Sequence, residues 1–208
     1  MPRRKQPTPA RYRLEYTATY ECYPTEPGDE DDVVPMLRII GNAYDDRELS
    51  GRAAYPDPIG TLRAILIQDL GLYDDETLFG AVDAESGDLA RVFAALDSAG
   101  LLPFDGPESL FFLDIVELDP AHRGRDLGLE LARGALRVFG RECRFAILEP
   151  VPQGFDLPPD APPPPAFERA RERLSRHWAR LGFARLPGSH HMVSDLVGWR
   201  EDLAPAGR

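Results

Sequence analysis

The stretch Val116 to Leu131, VELDPAHRGRDLGLEL, gathers the residue types that hold an anion. An apolar strand runs into a turn at Asp119 and Pro120, then a basic loop with glycine, then a segment whose apolar residues recur at helical spacing. The first amides of such a helix have no intrahelical acceptor, and the helix dipole adds partial positive charge, so phosphate binds there readily. Arg123 and Arg125 contribute full charges, while Gly124 and Gly128 keep Cβ atoms away from a close approach to the backbone. Asp126 is discordant in this setting. Just ahead of the helix, it reads first as an N-cap whose carboxylate accepts backbone N–H bonds, in competition with an anion for the same amides.

The string Asp119 to Gly128, DPAHRGRDLG, resembles the coenzyme A pyrophosphate loop of the GCN5-related N-acetyltransferase (GNAT) family. That loop runs Arg or Gln, two residues, Gly, one residue, Gly or Ala. Arg123 and Gly128 fit it, and Asp126 stands at its first glycine. Further on, His177 to Phe183, HWARLGF, is similar to the family's helix-end sequence Tyr-x-x-x-Gly-Phe, with Trp178 at the tyrosine. The resemblance covers Leu110 to about Leu196. It implies an α/β fold with a mixed central sheet flanked by helices, in which two central strands, here Leu110 to Leu118 and Arg144 to Glu149, splay apart. It also implies acetyl-coenzyme A (acetyl-CoA) as co-substrate, held by Val116, Leu118, Arg123, Gly124, Arg125, Asp126, Leu127 and Gly128, and direct transfer of the acetyl group to an amine.

Such an attack needs a neutral amine, so a carboxylate or a water chain must take its proton. Asp114, Glu117 and Glu149 are the nearest carboxylates in sequence, and Asp114 and Glu117 are the catalytic candidates. Strand alternation sends those two to opposite faces unless a bulge intervenes. Glu117 adjoins the backbone that would meet the thioester. The family's tyrosine protonates the departing thiolate, which the indole of Trp178 cannot do. Water then protonates the thiolate or it leaves unassisted, and His177, His190 and His191 are further proton carriers. The alternative is a binding or regulatory module with weak turnover, favoured by Asp126 and Trp178.

The elements that must position these residues are legible in the apolar spacing. Alternation from Tyr12 to Cys22 predicts a half-buried strand, Met36 to Tyr44 another, and Ile59 to Ile67 a third. Between Asp74 and Gly100 the spacing turns helical, with Ser86 available as a cap. LFFLDIVEL, Leu110 to Leu118, is apolar nearly throughout, as a strand covered on both faces must be. A helix from Leu127 to Gly140, a strand from Arg144 to Leu148 and a helix from Phe167 to Gly182 follow, then short strands at Phe183 to Leu186 and Met192 to Leu196. The prolines between Pro150 and Pro165 exclude regular structure there, and this segment is expected to wall the acceptor site. Family members usually have two helices between their first and second strands, whereas the early helical spacing here comes after the third.

Composition fits one domain at residues 11–200, with a basic tail at 1–10 and a second tail at 201–208. The net charge of −11 argues against nucleic acid as a partner and suits a cationic amine acceptor. There is no apolar signal region, no membrane-length apolar run and no metal-ligand spacing, so a cytoplasmic, metal-free protein that does not span a membrane is expected. Cys22 and Cys143 read as two buried thiols.

Overall fold

Leu110 to Leu118 sits where its two-sided apolarity requires, at the middle of a sheet covered on both faces. The computed structural model describes residues 12–24, 33–46, 56–102, 108–155, 157 and 162–197; the expected tails at 1–10 and 201–208, the side chain of Cys22 and part of the segment 150–165 lie outside the described residues. Among those described, seven strands form one sheet in the order β1-β2-β3-β4-β5-β7-β6. They are β1 (Tyr12–Pro24), β2 (Val33–Asp45), β3 (Gly60–Ile67), β4 (Ser109–Leu118), β5 (Cys143–Leu148), β6 (Ala184–Arg185) and β7 (Met192–Asp195). Only the β4–β5 pair is parallel, and the connection between them is a helix, which makes the sheet mixed and the fold α/β.

Among the described residues four α-helices accompany the strands: α1 (Asp75–Glu85), α2 (Gly87–Ser98), α3 (Leu127–Phe139) and α4 (Pro165–Trp178). The helical stretch after Asp74 is divided at Ser86, whose extended backbone ends α1 and whose Oγ accepts from Leu89 N at 3.2 Å to start α2. Both helices follow β3, and β1 pairs directly with β2, so the pair of helices that the resemblance implies between the first two strands is absent from the described residues.

Alternation along β4 feeds two cores. Leu110 and Phe112 point to α1 and α2, packing with Ile65, Leu89 and Phe93, while Phe111 and Leu113 point to α3 and α4, packing with Leu62, Leu131 and Trp178. Cys143 is buried in the second of these. Each fully buried aliphatic or aromatic side chain contributes on the order of 1.5–3 kcal/mol. β4 therefore anchors both layers.

One polar contact ties the edge strand to α3. Tyr16 Oη donates to Leu131 O at 2.7 Å, and it fits because Gly134 has no Cβ: one built there would lie 2.1 Å from that oxygen. Burial, with the nearby charge of Glu130, pushes the Tyr16 phenol up to about 12. A group whose folded-state pKa is raised stabilises fully below its unfolded value and loses that contribution as pH rises through the folded value. Stability should fall between about pH 10 and about 12, and Tyr16→Phe should flatten that fall; urea denaturation across that range measures it.

Candidate active site

Pairing between β4 and β5 ends early. It covers Ser109 to Leu113 against Cys143 to Leu148, whereas Ile115 to Leu118 pair only with β3. Two local features drive the strands apart. On the β3 side the register shifts, with Arg63 opposite Ile115 and Ala64 opposite Leu113, so Asp114 is the extra residue of a bulge that bends and twists β4. On the β5 side Pro150 has no N–H for a ladder, and Val151 N turns back to Glu149 O at 2.9 Å, which takes the chain out of the sheet. The result is a cleft of about 760 Å³ between the strand ends.

The gap exposes backbone that a sheet would otherwise consume. Val116 O accepts from Gln153 Nε2 at 3.2 Å and Leu118 O from Arg123 Nε at 3.0 Å. Since a strand residue's N–H and C=O project to the same side, the amides of Val116 and Leu118 face the gap as well. Val151 to Phe155 line the cleft opposite β4, and Phe155 is braced edge-on against Phe167 at 5.3 Å between ring centroids.

The bulge also resolves the two carboxylates. Thr61, Arg63 and Ile65 share the face of β3 that looks toward α1 and α2, and Thr61 is opposite Glu117, so Glu117 belongs to that face. Asp114 joins it, with Oδ2 3.4 Å from an Arg63 guanidinium nitrogen. The simple alternation that separates them fails because one residue has been inserted between them and the register. Both line the cleft, and Asp114 also lines an adjoining cavity of about 360 Å³ bounded by Arg38, Arg63, Glu85 and Asp88. Burial raises the Asp114 carboxyl above its ordinary value, and the Arg63 charge only partly offsets this. It is a half-buried carboxylate with increased affinity for a proton.

At the anion loop, Asp126 does not cap α3. Its backbone is left-handed, φ 60° and ψ 10°, and its carboxylate makes no bond to a helix amide. It turns instead to Arg180, which donates through both terminal nitrogens to its two oxygens at 2.7 Å each. That pairing holds the Asp126 carboxyl below its usual value. The cap reading fails because a bidentate guanidinium is the stronger partner. The first intrahelical bond is Glu130 N to Asp126 O, which leaves the Leu127, Gly128 and Leu129 amides without an intrahelical or side-chain acceptor among the described residues. That is a fit for a phosphate oxygen.

Arg123 and Gly124 line the cleft and Arg125 is exposed beside them, whereas Leu127 and Gly128 are buried beneath. Gly124 takes a left-handed φ of 74° with nothing within 4 Å of a built Cβ, so conformation and not space selects glycine there. At Gly128 a Cβ would lie 3.4 Å from Val116 Cγ1 and 3.6 Å from Leu118 Cδ1, ordinary contact distances that admit a methyl and leave no space for a branched side chain.

The far wall is α4, through Leu174, His177 and Trp178. Trp178 packs edge-on between His177 and Phe183. Burial lowers the His177 pKa, and the Asp126 charge opposes the shift. His190 and His191 lie in the turn before β7, bonded to Arg171 at 3.1 Å and to Ser189 at 2.7 Å, and line no part of the cleft. Glu149 lines the cleft and stands 3.9 Å from Arg171. Among the described residues no group of three or more His, Cys, Asp and Glu could hold a metal, and no helix is long and apolar enough to cross a membrane. Sequence reasoning did not single out Gln153 or Arg180. The first is flagged only by the prolines around it, and the second only by an unneutralised Asp126 elsewhere.

No family model matches the chain, and no curated protein matches it. Solved structures with a similar path of the chain include Arabidopsis thaliana NAA60 in complex with acetyl-CoA, at 14% identity over 76% of each chain and a TM-score of 0.44. AtaT complexed with acetyl-methionyl-tRNAfMet is 10% identical over 90% of this chain and 100% of its own, with a TM-score of 0.43. An agmatine N-acetyltransferase mutant is 14% identical over 76% of each chain, with a TM-score of 0.41. At these identities and scores nothing about substrate or chemistry passes from those proteins to this one.

The contacts at Gly128 make a graded prediction. Gly128→Ala should be tolerated, while Gly128→Val, whose methyls enter Val116 and Leu118, should cost about 1–3 kcal/mol of unfolding free energy in chemical denaturation.

Proposed function

We propose that this chain transfers an acetyl group from acetyl-CoA to an amine of a small molecule or a protein. The observation that carries the reading is the cleft between β4 and β5, lined at once by the anion loop, by unpaired β4 backbone and by a proton-accepting Asp114. The loop motif of residues 119–128 supports the same cofactor. Arg123 and the first-turn amides of α3 would hold the pyrophosphate, and Val116 and Leu118 the pantetheine amides, with Gln153 yielding Val116 O.

Bound there, acetyl-CoA supplies an activated acetyl thioester. Asp114 is the residue we assign as base, because it is bulged into the cleft, faces the adjoining cavity and has an elevated proton affinity. It takes the proton lost by the attacking amine nitrogen as the N–C bond forms and the C–S bond breaks. Glu117, on the same face, adds negative charge for an ammonium group to approach. Trp178 cannot donate a proton to the sulfur usefully, and it need not: a thiolate is a far weaker base than the anion of an amine and departs from the thioester without prior protonation. Trp178 shapes the wall and excludes water.

Calorimetric titration should show acetyl-CoA binding, with Arg123→Ala weakening it roughly tenfold to a hundredfold through loss of a charge-assisted contact. In a screen of amines, polyamines and peptides for coenzyme A release, Asp114→Asn should lower kcat about a hundredfold with little change in KM for acetyl-CoA. The wild-type rate should rise as pH climbs through the elevated Asp114 pKa, since only the ionised carboxylate accepts a proton. Absence of acetyl-CoA binding by the folded chain would remove this reading.

A further inference from the structure

Asp126 carries a negative charge into the loop that the proposed function assigns to pyrophosphate, and the structure gives that charge a partner from a distant part of the chain. Arg180, in the turn that ends α4, grips both carboxylate oxygens at 2.7 Å. The grip is bidentate and lies 54 residues away in sequence, so it also fastens the end of α4 to the start of α3. The left-handed backbone of Asp126, φ 60°, turns its side chain away from the first-turn amides. Two facts then coincide: the first-turn amides of α3 have no side-chain cap, and the carboxylate that immediately precedes them is paired with an arginine outside the loop.

We propose that Arg180 is a positioning residue for the coenzyme's phosphates: by binding Asp126 it withdraws a negative charge from the anion loop and holds that loop open. This inference rests on the acetyl-CoA reading above. Arg180 is not assigned a contact with the phosphates; it acts through Asp126. The net charge of the pair is zero in the wild type, −1 when Arg180 is lost, +1 when Asp126 is neutralised, and zero again when both are changed. Phosphate affinity should follow that order, because each unit of charge beside a polyphosphate acts in the same direction.

The test is calorimetric titration of acetyl-CoA into four folded proteins: wild type, Arg180→Ala, Asp126→Asn and the double variant. Asparagine tolerates the left-handed backbone, and circular dichroism with thermal melting checks each fold. Arg180→Ala should bind about tenfold more weakly, and Asp126→Asn should bind tighter than wild type. The double variant should return to within about twofold of wild type. Rising salt should narrow the spread among the four. If Arg180→Ala binds as wild type, or if the double variant stays as weak as Arg180→Ala, the inference is overturned; the second result would mean that Arg180 acts by its own contact. Failure of the wild type to bind acetyl-CoA would overturn the parent reading instead. Should Arg180→Ala not fold, Arg180→Gln, which keeps a hydrogen-bonding side chain without the charge, replaces it in the same cycle with the same expected order.

Discussion

Pro150 has no amide hydrogen to give, and the residue inserted at Asp114 throws β4 out of step with β3; together these two facts open the sheet where everything else converges. A parallel pair buried on both faces would ordinarily zip to its end. Here it stops at Leu113, and five further residues of β4 run on with one neighbour in place of two. Backbone polar groups in that stretch need other partners, and Gln153 and Arg123 supply two of them. The split also lets a single cleft reach from α4 on one face to Asp114 and Glu117 on the other, with a second cavity adjoining it at Asp114.

Electrostatics around the cleft divide into a basic rim and an acidic interior. Arg123 and the uncapped end of α3 carry positive charge there, and the Asp126 carboxylate beside them is paired with Arg180. Around Asp114 the balance differs. Arg63 stands at 3.4 Å, close enough to lower the carboxyl pKa but not enough to cancel burial, so the group keeps a raised proton affinity. The adjoining cavity carries Glu85, Asp88 and Asp114 against Arg38 and Arg63, so its carboxylates are only partly balanced.

Much of this was legible in the residues. The two-sided apolarity of LFFLDIVEL made β4 central, the helical spacing after Leu127 gave α3 to within a residue, and the turn signals at Asp119 and Pro120 placed the loop between them. These signals are local, since period and turn chemistry act over a few residues. What could not be read depends on contacts far apart in sequence. The bulge at Asp114 exists only in the pairing with Arg63 and Ala64, so alternation alone assigned the carboxylates to opposite faces. Asp126 was read as a cap because a cap needs only its neighbours, whereas its actual partner, Arg180, comes from the end of another helix. The pairing of β1 directly with β2 was likewise invisible to spacing.

Amide hydrogen exchange with and without acetyl-CoA tests the central claim most directly, because it reads backbone groups one segment at a time. If the split between β4 and β5 is the cofactor site, acetyl-CoA should slow exchange at Val116, Leu118 and the first-turn amides Leu127, Gly128 and Leu129, and leave β1 and β2 unchanged. Equal exchange in those segments with and without saturating acetyl-CoA, or protection confined to β1, β2 or the surface of α2, would contradict it.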